Sequence, residues 1–193
     1  AEIVNSERWQ MTRDEALLAI QANVKNQNLV KHMLATEAIM RALARRFGED
    51  EEVWGLAGLL HDIDVELCDD DMTRHSKIGA DMVAKMGLNP EIVRAILAHN
   101  DAHGVPLESR LDKALYCVDP LTGLITAGAL IRPEKKLAAV EAKSIRKRFK
   151  EKSFAAGARR ETIATCSSIG LELDDFIALG LEAMQGISGE LGL

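Results

Sequence analysis

Residues 53–60, Val-Trp-Gly-Leu-Ala-Gly-Leu-Leu, are apolar on most faces of a helix and end abruptly in the adjacent pair His61-Asp62. A helix apolar on most sides belongs at the centre of a fold, so this stretch predicts the element that others pack around. It also makes the polar pair at its end conspicuous. Such a pair either satisfies a helix terminus or offers a nitrogen and an oxygen to one cation. A lone His-Asp pair is usually the former, so partners elsewhere in the chain must decide.

The rest of the chain repeats the helical spacing. Apolar residues are mostly Ala, Leu, Ile, Val and Met at intervals of three and four, and alternating β-branched runs are absent. The expected class is therefore all-α. Thr12-Arg13-Asp14-Glu15 matches a capping box, opening a first helix that ends near Asn26. Asn28 is expected to cap a second helix reaching Phe47, stopped by Gly48. Asp50 opens the central helix. Thr73 is expected to cap a fourth, ending at Met86, and Asn89-Pro90-Glu91 a fifth. A sixth runs from about Ser109, with Pro120 as a candidate kink. Two amphipathic helices, 158–169 and 174–187, complete the chain. Nothing separates two domains, so 1–193 is expected to be one, with a motif core over 28–130 and a helical extension over 131–193.

Along this order the histidines fall at helix ends and inward faces. His32 lies on or beside the stripe of Leu29, Met33, Thr36 and Ile39; His75 falls in the first turn of the fourth helix; His99 lies three residues beyond Ile96 on the same side. Asp119 follows Val118 amid Leu115, Leu121 and Leu124, where a buried carboxylate needs a partner. His103, in Asp101-Ala102-His103-Gly104, is expected on the surface. Four imidazoles and two carboxylates at such places favour bound cations over separate core residues.

Charge and cysteines limit the partners. The net charge of −6 argues against broad attraction to nucleic acid or an anionic membrane. Arg132 to Lys152 nevertheless holds nine basic residues against Glu134, Glu141 and Glu151, a segment suited to phosphate oxygens, with Lys143, Arg146 and Lys147 as the expected substrate contacts. Arg159 and Arg160 extend it. Cys68, Cys117 and Cys166 form neither a CxxC nor a disulfide framework, which fits a reducing cytosol. With no apolar run of membrane-spanning length and no leader pattern at its start, the chain is expected to be soluble and cytoplasmic.

The pattern His32, His61-Asp62, Asp119 resembles the signature of the HD-domain superfamily of metal-dependent phosphohydrolases, most specifically at Leu59-Leu60-His61-Asp62-Ile63. The resemblance implies an HD-type helical bundle with additional C-terminal helices. It further implies a first metal on His32, His61, Asp62 and Asp119, and a second shared by Asp62 with His75 and His99. Where many relatives continue His-Asp-Ile-Gly, this chain has Asp64, and there is no Gly-Tyr-Pro motif, which argues against a cyclic-dinucleotide phosphodiesterase of that type.

One or two divalent ions (Mn, Fe, Mg, Ni, Co and Zn are not distinguished) are the expected cofactor. They would acidify a bound water and polarise a phosphomonoester, nucleotide or phosphodiester. Asp62 and Asp64 are the candidate catalytic carboxylates, with Asp64 or Glu66 accepting or relaying a proton. The expected partner is a small phosphorylated substrate, nucleotides included, and a homo-oligomer is compatible with the sequence. A di-iron oxygenase on the same ligands is the alternative, since some members of the superfamily activate oxygen, and a non-catalytic signalling or binding domain is a third reading.

Overall fold

A computed structural model describes residues 11–193, which fold entirely into helices and connecting turns. The helices are α1 (Arg13–Asn23), α2 (Gln27–Phe47), α3 (Glu51–Leu60), α4 (Lys77–Lys85), α5 (Pro90–Ala98), α6 (Arg110–Leu130), α7 (Ala142–Phe149), α8 (Arg160–Ala164), α9 (Leu173–Gln185) and α10 (Ser188–Leu191). No strand occurs among the described residues, as the apolar spacing requires.

Every residue of α3 from Val53 to Leu60 is buried, which makes it the central element its composition demands. It packs most extensively on α2, and Gly58 permits the close approach. A Cβ at Gly58 would stand 3.0 Å from the Glu37 backbone and from Cγ of Met40. The second long element, α6, is covered by α2, α5, α7, α8 and α9. The apolar core joins Phe176, Ile177 and Met184 of α9 to Ile39, Leu43, Leu59 and Leu121 without a break.

Local chemistry moves several helix starts from their expected places. Asn26, rather than Asn28, caps α2, its side chain accepting from the Asn28 amide. α1 correspondingly stops at Asn23. α4 begins at Lys77, not after Thr73, because Asp71 accepts from both the amide and the hydroxyl of Thr73 and holds residues 72–76 in turns. The capping box expected after Thr12 is half made, with the Glu15 amide donating to the Thr12 hydroxyl. Pro120, the candidate kink, lies inside α6, which is 21 residues long and continues past it to Leu130. The first tail helix shortens to α8 and gives way to a 3-10 turn over Thr165–Ile169. All three cysteines are free and buried. Among the described residues no helix is long and apolar enough to cross a membrane.

Candidate metal centre

Five segments converge on one point. α2 brings His32 and the end of α3 brings His61 and Asp62; His75 comes from the turn before α4, His99 from the end of α5, and Asp119 from the middle of α6. The groups form two overlapping clusters, His32-His61-Asp62-Asp119 and Asp62-His75-His99. Asp62 belongs to both, and its oxygens divide between them. Oδ2 lies 3.2 Å from Nε2 of His32 and 3.3 Å from Nε2 of His61, whereas Oδ1 lies 3.3 Å from Nε2 of both His75 and His99. In the first cluster Oδ1 of Asp119 is 2.8 Å from Nε2 of His32 and 3.1 Å from Nε2 of His61, and the two imidazole nitrogens are 3.1 Å apart. Donor atoms about 2.1 Å from a shared ion sit about 3 Å from one another in an octahedral shell, the spacing seen here.

Hydrogen bonds behind the rings fix which nitrogen points inward. Nδ1–H of His61 donates to the Gly58 carbonyl at 2.7 Å, and that of His99 donates to the Ile96 carbonyl. Nδ1–H of His75 donates to Oδ1 of Asp64 at 2.7 Å. Thr122 spends its own hydroxyl proton on the Asp119 carbonyl, so its oxygen accepts from Nδ1–H of His32 at 2.8 Å. All four rings therefore aim an Nε2 lone pair at carboxylate oxygens, which have none but lone pairs to return. Such a set is mutually repulsive until cations enter, and this chemistry fits divalent metal.

Protons are the substitute when metal is absent. Burial opposes the charged form of His32, but hydrogen bonds to Asp119 and Asp62 together outweigh it and push its pKa up to about 9. His75 is likewise pushed up to about 9, burial being outweighed by Asp62 and Asp64. His61 rises well above its usual range against its own burial, through Asp62 and Asp119. Against burial, His61 and His32 hold Asp62 well below the carboxylate range, and the same two rings depress Asp119.

Asp64 and Glu66 stand apart from the ligand atoms. Asp64 is fully buried behind His75, its Oδ2 accepting from the amides of Ser76 at 2.6 Å and Gly79 at 2.8 Å. Ser76 takes φ +73° to present that amide, and the left-handed backbone there aims the preceding His75. Glu66 accepts from the amides of Lys25 and Asn26 and ties down the link between α1 and α2. Asn100, next to His99, donates to the carbonyls of Met72 and His75, and His103 also bonds the His75 carbonyl. His103 is thus half-buried rather than a free surface residue. Its place beside His99 in sequence was the available signal for Asn100.

The basic segment is not brought to this centre. On α7, Arg146 pairs with Asp174 at 2.8 Å and Lys143 with Glu141 at 3.2 Å, and neither they nor Lys147 line the cleft beside the metal ligands. That cleft, of about 310 Å³, opens where the centre is least covered, at His32 and Asp119, whose side chains are 25% and 32% exposed. Its lining includes Arg159, a residue that the sequence marked only as a continuation of the basic run.

Comparison with known proteins places this geometry in a family context. Residues 29–123 match the HD domain family. Among curated proteins the chain is 35% identical over 98 residues to ribonuclease Y of Oleidesulfovibrio alaskensis, covering 51% of this chain and 18% of that protein. It is 30% identical over 139 residues to ribonuclease Y of Sulfurovum sp., covering 70% of this chain and 27% of that one. The chain thus spans about a fifth to a quarter of these relatives' length. No solved structure matches it.

Proposed function

The chain belongs to the HD-domain family through residues 29–123, and we propose that it is a metal-dependent phosphohydrolase with a two-ion centre. The observation that carries this reading is the division of the Asp62 carboxylate, one oxygen toward His32 and His61 and the other toward His75 and His99. A carboxylate so placed would be shared by the two clusters if each held an ion. His32, His61, Asp62 and Asp119 would hold one ion, and Asp62, His75 and His99 the other. Once bound, a divalent pair supplies an acidified water and polarises a phosphoryl oxygen.

The protein's own groups supply orientation and access. Thr122, Gly58, Asp64 and Ile96 hold Nδ1 of the four rings, so that Nε2 is the nitrogen each ring turns inward. His61 is sealed from water, whereas His32 and Asp119 border the cleft with partly exposed side chains, so substrate approaches from the side of α6. Asp64, proposed from sequence as a proton acceptor, acts here as the residue that orients His75. Lys143, Arg146 and Lys147, the expected phosphate contacts, do not line this cleft, and that role is proposed for the cleft's own lining.

The relatives' name makes an RNA phosphodiester a substrate candidate, while the net charge of −6 predicts weak holding of long RNA. Short phosphoesters of nucleotide size satisfy both considerations. The test is a panel of nucleotides, dinucleotides, short RNA and simple phosphomonoesters, assayed anaerobically with manganese or magnesium. Metal-dependent release of phosphate or mononucleotide supports the proposal. Oxygen consumption with iron and no hydrolysis of any member would replace it with the oxygenase alternative.

A further inference from the structure

The cleft beside the centre has a polar far end that metal binding does not use. Oδ2 of Asp101 accepts from Nη1 of Arg159 at 2.7 Å and from the Tyr116 hydroxyl at 3.1 Å. Both members of this ion pair keep unused hydrogen-bonding atoms. Among the described residues, Nε and Nη2 of Arg159 donate to no protein group, and Oδ1 of Asp101 accepts from none. The pair is more than half exposed, so it forms at little gain and yields readily to a ligand.

The neighbouring arginine shows the contrast. Arg160 is buried, and its guanidinium is consumed by backbone carbonyls, among them those of Ala158, Glu151 and Phe149. Arg159 is the one Lys or Arg lining this cleft among the described residues. The lining is open at two glycines, since a Cβ at Gly123 or at Gly157 would meet no atom within 4 Å. Two donors on a planar edge match two oxygens of a phosphate, and an adjacent free carboxylate oxygen matches a hydroxyl. A volume of about 310 Å³ suits one unit carrying both.

We propose that Arg159 and Asp101 form a subsite for one sugar phosphate unit of the substrate, with the phosphate on Nε and Nη2 of Arg159 and a sugar hydroxyl on Oδ1 of Asp101. This rests on the phosphohydrolase reading of the neighbouring centre and names its substrate class. The subsite lies partly outside the segment that matches the family, because Arg159 follows residue 123. The C-terminal part therefore supplies one side of the subsite, Arg159, and the family segment the other, Asp101.

Calorimetric titration of the metal-loaded chain with ribose 5-phosphate and with methyl phosphate tests it. The wild type is expected to bind ribose 5-phosphate about tenfold more tightly than methyl phosphate. Arg159→Gln should weaken ribose 5-phosphate about tenfold to a hundredfold, with Arg159→Lys intermediate. Asp101→Asn should narrow the preference over methyl phosphate. Gly123→Leu should block ribose 5-phosphate from the cleft. Elemental analysis should find the metal content of all four variants unchanged. Equal affinity of the wild type for the two ligands, or an Arg159→Gln variant that binds ribose 5-phosphate as the wild type does, overturns the subsite. The two readings fail separately, since hydrolysis by the wild type judges the centre and the titration judges the cleft.

Discussion

Nδ1–H of His75 donates to Oδ1 of Asp64 at 2.7 Å, and the other oxygen of that carboxylate accepts two backbone amides, so Asp64 is an anchor for one ligand ring. Replacing it by Asn removes the charge-assisted bond and the tautomer it enforces. Asp64→Asn should weaken the ion held by His75 and His99 about tenfold to a hundredfold, and the ion at His32 and His61 much less. Competition with a fluorescent chelator, followed by elemental analysis, separates the two. Equal weakening of both ions would make Asp64 a general fold residue instead.

Asp62 faces both clusters, so its loss has a wider effect than that of any imidazole. Asp62→Ala is expected to retain neither ion after dialysis, whereas His75→Ala and His99→Ala each keep one. Native mass spectrometry counts the ions directly. A single ion in the Asp62→Ala protein would show that the clusters bind independently.

Metal-free protein should depend on pH in the opposite sense to metal affinity. His32 and His75, at about 9 in the folded chain, add stability that is complete below their unfolded value of about 6.5. That stability is lost as pH rises through about 9. Asp62 and Asp119 are depressed, so their share is present above about 4 and is lost only as pH falls below that value. With chelator, Tm should therefore be highest between about pH 4 and 6.5 and decline toward pH 9, while metal binding strengthens over the same rise and releases protons. Calorimetry in buffers of different ionisation enthalpy measures that release; none at pH 7 would contradict the protonated resting state.

Gly58 is where α3 touches the backbone of α2, and its carbonyl also accepts from His61. Gly58→Ala should cost about 1–3 kcal/mol by urea denaturation, because Glu37 backbone atoms cannot yield as a side chain tip would. Since the clash pushes His61 away from His32, metal affinity should fall with it. Unchanged stability would mean that the two helices separate without strain.

Arg160 organises the segment that forms the cleft wall. Its guanidinium donates to carbonyls of Arg148, Phe149, Glu151, Phe154, Ala155 and Ala158. The carbonyls of Arg148, Glu151 and Ala155 also accept backbone amides, whereas those of Phe149, Phe154 and Ala158 depend on Arg160, so Arg160→Ala should destabilise the chain by about 3 kcal/mol, with limited proteolysis then cutting between 150 and 158 first. Protection of that segment in the variant would show that it holds itself together.

Much of the centre was readable because its residues carry rare chemistry at helix boundaries. His61-Asp62 closes an apolar helix, and His32 and Asp119 interrupt apolar stripes where a buried polar group needs a partner. Asp64 was legible only as a nearby carboxylate. Whether it faced the cavity or stood behind His75 depended on the turns that Asp71 imposes before α4, an arrangement with no periodic signature. The placement of the basic run was illegible for the same kind of reason. Lys143, Arg146 and Lys147 count equally with Arg159 in a charge sum, yet α7 lies against α9, where Asp174 takes Arg146, while Arg159 reaches the cleft.

The sequence by itself determined the helical class, the central place of residues 53–60 and the identity of six converging side chains, because burial periodicity and capping are properties of neighbours in the chain. Only the tertiary structure decided that Asp62 divides its two oxygens, that Asp64 anchors rather than faces the cavity, and that Arg159 rather than α7 walls the cleft. Those outcomes depend on how helices distant in sequence pack, and such contacts leave no local pattern to read.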